Sequence, residues 1–389
     1  MQGLYWMAFC TVYNFVAYVL TYRGFNEAFI GILLAGANVL ALVVQVPLAS
    51  WADKEGKGKL KKILLFFTFL NILLSLGVIA GKNNPMVTAI FLFGVLAFVL
   101  TMHSFVNTLA MEYVNAGYNI NFSLARAIGS LGAALAPLAL GFLSNIYGPL
   151  IIAFTHLGLF ILLFILILFF KPVDRKETGF EALEDVKKEE ARYSKVGFIT
   201  FFKRYKKFTG LLAGTILTFS AYNMAINFLI KVTNALGKTE KEMGITLFIA
   251  AILEVPGMMI YMVLSKKMKS SSLLKISAFF FVIKSLGIYL ATNITGLYAA
   301  HFAQLLSFAI FAPATVFYIN ELMDAKDRVK GQTYMTATIT MGGIFGSLLG
   351  GYLIDQFYVK YMLLVALVIA IVGSFLMIVF TENEKKPVI

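Results

Sequence analysis

Residues 171–207 read KPVDRKETGFEALEDVKKEEARYSKVGFITFFKRYKK, the one long polar segment in the chain. On both sides of it, apolar runs recur almost without interruption. A run of about 20 apolar residues crosses the roughly 30 Å hydrocarbon layer of a bilayer as a helix. Six such runs precede the segment, near 3–22, 29–52, 60–80, 86–111, 119–145 and 149–171. Six follow it, near 206–230, 243–264, 273–292, 296–322, 331–354 and 360–380. The fold class expected is an all-α membrane protein of twelve transmembrane helices. Residues 1–171 form a first six-helix bundle, 172–205 a linker, and 206–389 a second bundle.

Composition agrees with this reading. The chain of 389 residues is 60% hydrophobic and only 14% charged, whereas soluble domains lie near half apolar and a quarter charged. The net charge of +13 invites a nucleic-acid reading. The basic residues sit in short loops between apolar runs, however, where they set membrane topology. Of the 33 basic residues, 24 fall on the side that holds the central segment and the C-terminal tail. By the positive-inside rule both termini face the cytoplasm, in a multi-pass protein of the cell (inner) membrane. The single Cys10 excludes a disulfide framework and a cysteine metal site, and reads as a small packed side chain. The first apolar run is long enough to span and lacks a basic leader, so no cleavable signal is expected.

The two halves repeat. YNFVAYVL at 13 echoes YNMAINFL at 222, and VQVP at 44 echoes LEVP at 253, both with an offset of 209. GAALAPLALGFL at 132 echoes GGIFGSLLGGYL at 342, with an offset of 210. Three matches at nearly one offset indicate two six-helix pseudo-repeats. Such halves joined by a central loop resemble the major facilitator architecture. That resemblance implies a substrate site at midplane between the halves and alternating access by rocking.

Four stretches carry candidate chemistry. PLASWADKEGKGKLKK at 47 resembles the major facilitator loop signature, through Asp53, Lys54, Gly56 and Lys57, with Ala49 where a glycine is usual. The resemblance makes this loop a conformational latch, Asp53 lying against a helix N-terminus, where a carboxylate is favourable by about 0.3–1 kcal/mol. The rival reading is a solvated charged loop.

NFSLARAIGSLGAAL at 121 places Arg126 inside the fifth span, followed by the small residues Gly129, Ser130 and Gly132. A charge at membrane depth costs about 2.5–3.5 kcal/mol on insertion scales, so it faces a cavity or has a partner. The string resembles the family of oligosaccharide and nucleoside proton symporters that includes lactose permease, in which such an arginine holds substrate hydroxyls. Here Ala133 replaces that family's tryptophan, and Thr108, beside Asn107, replaces its helix-four carboxylate. A structural pair of Arg126 with Glu112 is the alternative.

Glu254 in the eighth span and Lys284 in the ninth fall at similar depth, counting 1.5 Å per residue. The family resemblance sets a glutamate and an arginine there. Lysine lacks the planar fork of arginine. The alternative is a buried structural ion pair. In the tenth span the family's histidine and proton-carrying glutamate fall on Gln304 and Ser307, and its helix-seven acids on Asn223 and Ile226, with Tyr222 kept. This leaves Glu254 as the expected proton-coupling residue. His103, His156 and His301 read as satisfied packing residues, although His301, one turn before Gln304, could substitute for the missing histidine.

The remaining polar groups on cavity-lining spans are neutral: Tyr13, Tyr18, Tyr22, Asn14, Asn38, Gln45, Asn107, Thr108, Tyr222, Asn223, Asn227 and Gln304. They suit a hydroxyl-rich neutral solute better than a dianion, which calls for several arginines. Trp6 and Trp51 read as lying near the cytoplasmic face, so stacking falls to tyrosine. The expected function is proton-coupled import of a sugar or nucleoside by a monomer in the bilayer, with no cofactor, no metal and no nucleic-acid partner. The alternatives are proton-driven efflux of an amphipathic compound and a non-transporting receptor or scaffold. No nucleophile–base set, His-rich metal motif or phosphate loop points to an enzyme. The proline of LEVP, Pro256, is expected to break the eighth span, as membrane helices tolerate.

Overall fold

The computed structural model describes residues 1–53, 58–115, 122–170 and 198–382. Among these residues twelve helical stretches are long and apolar enough to cross a membrane, and there is no strand. The chain divides into two compact units, Met1–Lys187 with Thr239–Phe248, and Lys188–Lys238 with Ile249–Ile389.

In the first unit the opening span is two helices, α1 (Gln2–Tyr13) and α2 (Val16–Tyr22). The interruption at Asn14 is a tightened turn in which the Phe15 N–H donates to Val12 O at 3.2 Å. Four long helices follow: α3 (Glu27–Asp53), α4 (Lys59–Ala80), α5 (Pro85–Asn115) and α6 (Phe122–Tyr147). Helix α7 (Leu150–Phe169) closes the set. Helix α5 begins as its sequence dictates. Asn84 Oδ1 accepts from the Met86 and Val87 N–H groups, and Pro85 occupies the first helical position, where a missing N–H is harmless. The reversal between α6 and α7 turns on Gly148, whose φ of +74° a side chain would strain. Residues Thr239–Phe248 pack within this unit, and a Cβ at Gly141 would lie 2.8 Å from Glu240 O and 3.0 Å from the Gly244 Cα. Tyr18 OH donates to Glu240 Oε1 there at 3.5 Å.

The second unit opens with a short helix, α8 (Phe198–Arg204), inside the stretch read as linker. Then come α9 (Lys206–Asn227), α10 (Leu229–Ala235), α11 (Glu240–Leu264) and α12 (Ser270–Leu290). The tenth span is split into α13 (Ile294–His301), a 3-10 turn (Phe302–Leu305) and α14 (Phe308–Leu322), and α15 (Ala325–Gln356) and α16 (Val359–Phe380) complete the unit. Its core is aromatic, with Phe208, Phe219, Phe281, Phe311 and Tyr318 buried together. Helix α8 belongs to this core. Phe201 is buried against Tyr334, ring centroids 5.0 Å apart. Arg204 reaches Asp324 at 2.5 Å and Asp327 at 3.4 Å. Asp327, 1% exposed, also accepts from Tyr205 OH at 3.0 Å. Burial and this bond push the Tyr205 phenol up, so it keeps its proton and remains the donor.

Glycines set how closely the helices of this unit approach. A Cβ at Gly214 of α9 would sit 2.7 Å from Gly373 O and 2.7 Å from Met377 N of α16. Backbone cannot yield as a flexible side chain can. Gly214→Val is expected to destabilise the protein by about 1–3 kcal/mol through overpacking, read as a lowered thermal unfolding midpoint in detergent. Gly343, whose added Cβ would meet nothing nearer than the Asn223 Nδ2 at 3.9 Å, is the control, and Gly343→Ala should unfold no earlier than wild type.

One expectation is corrected. Pro256 does not break the eighth span, because α11 runs unbroken through it, as α3 runs through Pro47. The interruptions lie instead in the first span at Asn14, the seventh at Phe228 and the tenth at 302–307. The first and seventh spans are partners under the internal repeat, but their breaks do not coincide, since an offset of 209 sets Asn14 against Asn223, inside α9 and ahead of Phe228.

Candidate functional site

The site of the second unit grows from the broken tenth span. Non-helical backbone at membrane depth survives only where other groups satisfy it, and here Ser277 Oγ donates to Ser307 O at 2.8 Å. Two glycines let neighbouring helices close on the break. A Cβ at Gly257 of α11 would lie 2.7 Å from Leu305 O, and one at Gly287 of α12 would lie 2.8 Å from Ala300 Cβ. Each glycine follows a charged residue by three positions, and residues three apart share a helix face. The close approaches therefore carry Glu254 and Lys284 to the same turn.

Gln304 stands between them. Lys284 Nζ donates to Gln304 Oε1 at 2.5 Å, and Gln304 Nε2 donates to Glu254 Oε1 at 3.0 Å. The ammonium also sits 4.7 Å above the Tyr222 ring centroid, a cation–π contact. Lys284 is 2% exposed and Gln304 is fully buried, whereas Glu254 is half-buried. A small crevice adjoins the ammonium, lined by Tyr222, Ile226, Phe281, Lys284, Ser285 and Ile288 among others. The amide thus joins the acid and the cation that the sequence set at one depth. Asn223 donates to Phe219 O of its own helix at 2.8 Å, beside Tyr222. His301 is buried, with its Nδ1 2.9 Å from Leu297 O.

In the first unit the neutral candidates gather on α1, α3 and α5. Gln45 Nε2 donates to Ser104 Oγ at 2.6 Å, Gln2 Nε2 donates to Asn107 Oδ1 at 3.0 Å, and Trp6 Nε1 donates to Gln2 Oε1 at 3.1 Å. Thr108 is exposed, its hydroxyl bonded to Ser104 O at 2.9 Å. Tyr13 stacks on Phe9, and Asn14 lies at the break of the first span. The small-residue face of α6 packs against α1 as its composition predicts, a Cβ at Gly132 falling 3.0 Å from Gly3 O. Cys10 is buried. His156 is a packed residue too, its Nδ1 2.8 Å from Ser75 Oγ.

Other expectations divide. The side chains of Arg126, Glu112 and Asp53, and residues Lys54, Gly56 and Lys57, lie outside the described residues. Asn38 and Asn227 are buried, bonded to Leu34 O and to Ser347 Oγ, so they serve packing rather than a cavity. His103 is no buried packing residue. It is exposed and meets the Trp6 ring edge-on at 4.9 Å. Sequence reasoning set Trp6 aside near the cytoplasmic face, read His103 as packing and passed over Phe9, although the spacing of Trp6, Phe9 and Tyr13 marks one helix face.

The family pattern described as Major Facilitator Superfamily matches residues 1–303 and 211–388. No curated protein matches the sequence. Among solved structures, the nucleoside transporter NupG superposes with a TM-score of 0.79 at 14% identity, covering 98% of each chain. The xylose transporter XylE from E. coli, in an inward open conformation, gives 0.72 at 12% identity, over 100% of this chain and 95% of its own. A bacterial homologue of the human lysosomal transporter Spinster gives 0.67 at 12% identity, over 99% and 96%. At such identities these likenesses establish the fold.

Proposed function

The chain belongs to the Major Facilitator Superfamily, and from that premise we propose that this multi-pass membrane transporter imports a small neutral polar solute, a sugar or a nucleoside, together with protons. The reading includes a cytoplasmic position for both termini, supported by the distribution of basic residues. It also keeps Arg126 as a substrate ligand and the Asp53–Lys57 loop as a latch, on the strength of the motifs they match.

The observation that carries the coupling is the chain Glu254–Gln304–Lys284. Glu254 is the protonatable member, and Lys284 holds a positive charge one amide away. A solute hydroxyl that accepts from Lys284 in place of Gln304 draws the cation off, and a neutral, protonated Glu254 is then the better partner for what remains. Binding of solute and proton therefore favour each other, which is the linkage a symporter requires. The lining of tyrosines and amides, with a single lysine, matches an uncharged substrate. The similar solved structures include transporters of nucleosides and xylose, in keeping with that class.

The test uses purified protein in proteoliposomes with an alkaline interior and acid outside, supplied with labelled xylose or uridine. Accumulation above the external concentration, collapsed by a protonophore, is expected for one of them. Uptake that only equilibrates, or that ignores the protonophore, would overturn proton coupling.

A further inference from the structure

We infer that the first unit carries a ring-stacking subsite, formed by Trp6, Phe9 and Tyr13 of α1 with His103 of α5, which takes the planar heteroaromatic ring of a solute such as a nucleoside. The positions 6, 9 and 13 recur at helical spacing, so the three rings form one stripe. Each is half-buried. Trp6 and Phe9 have centroids 5.4 Å apart, and Phe9 and Tyr13 lie nearly parallel at 5.2 Å, their planes 14° apart. His103 continues the stripe across to α5, 4.9 Å from Trp6 and 6.4 Å from Phe9.

The surroundings show which medium this stripe meets. His103 and Thr108 are exposed although both lie in the membrane-spanning part of α5, Pro85–Leu109. Ionisable groups at that depth face a water-filled cavity rather than hydrocarbon. An aromatic stripe beside an exposed imidazole is therefore offered to a dissolved solute and not to lipid tails. Rings without polar neighbours would serve any apolar body. Here Asn107 lies one turn beyond His103, and Gln45 bonds Ser104, the residue next to His103. Side-chain amides match the adjacent donor and acceptor groups on the edge of a nucleobase, while aromatic rings take its face. A linear polyol has no face to stack, and a free pentose has no planar edge for the amides.

This inference rests on the transporter reading and narrows its substrate. A free sugar as the true cargo would defeat it and leave that reading intact. Full-length protein in detergent is titrated with uridine and adenosine, and with ribose and xylose as ring-free comparators. Both nucleosides are expected to bind, and ribose at least about tenfold more weakly. Phe9→Leu and His103→Leu should each weaken nucleoside binding by roughly tenfold, the scale of one lost stacking contact. His103→Phe, which keeps a ring, should restore most of it. His103 is exposed, so its variants leave the packed interior alone, and an unchanged unfolding midpoint without ligand checks the fold. Ribose binding as tightly as uridine, undiminished binding by the leucine variants, or no binding of either nucleoside would each overturn the subsite.

Discussion

Glu254→Gln is expected to abolish accumulation driven by a pH gradient while sparing exchange of labelled for unlabelled solute across the same membrane. Glutamine keeps the size and the hydrogen-bonding capacity of the side chain, so Gln304 retains a partner at the 3.0 Å position. Only the exchangeable proton is lost. If Glu254 alone links proton to solute, concentrative uptake falls to the equilibrating level, and its dependence on external pH disappears. Exchange continues because it requires binding and reorientation but no net proton movement. Accumulation that survives in the variant would assign coupling elsewhere. Loss of exchange as well would make Glu254 a substrate ligand first.

The second large effect concerns the amide between the charges. Gln304→Leu takes away the hydrogen-bond acceptor of the Lys284 ammonium, which is 2% exposed and donates to Gln304 Oε1, and leaves it facing the Tyr222 ring. Losing a buried hydrogen bond to a charged group costs about 1.5–3 kcal/mol, enough to bring down the unfolding midpoint visibly. Lys284→Met removes the charge itself and fills the same space with apolar atoms. Replacements of that kind are often neutral or stabilising. In the Gln304→Leu background Lys284→Met should therefore recover most of the lost stability, while the double variant stays inactive in transport. Thermal unfolding of the four proteins closes the cycle. Additive effects would show that Gln304 and Lys284 do not depend on each other.

Much of this was legible in the sequence. Twelve runs of sufficient length, a polar divider and a recurring offset define the fold, because the membrane leaves so few alternatives. Glu254 and Lys284 were found because a charge among apolar residues is conspicuous. Their connection was not, since it depends on a break in the tenth span that no proline or glycine marks within residues 302–307. Pro256 drew attention to the wrong span. A missing N–H removes one bond from a helix whose other bonds persist, whereas the break at Gln304 goes with close approaches of Gly257 to Leu305 and of Gly287 to Ala300 just ahead of it. The pattern of a charge followed by glycine three residues later, in both Glu254–Gly257 and Lys284–Gly287, was the available signal. The stripe of Trp6, Phe9 and Tyr13 was passed over because aromatic residues in a membrane span more often only fill space.

The docking of α8 has a practical bearing on dissecting the molecule. A fragment beginning at residue 206 has the apolar spans of the second half but lacks Phe201, Phe202 and Arg204, removing two ring contacts of Tyr334 and the guanidinium from Asp327. A fragment beginning ahead of Phe198 retains all three. Co-expression of two separate polypeptides should therefore reconstitute function when the cut falls upstream of Phe198, and should fail or yield a labile product when it falls at Tyr205. The useful boundary for split reporters or segmental labelling lies several residues before the point where hydrophobicity begins.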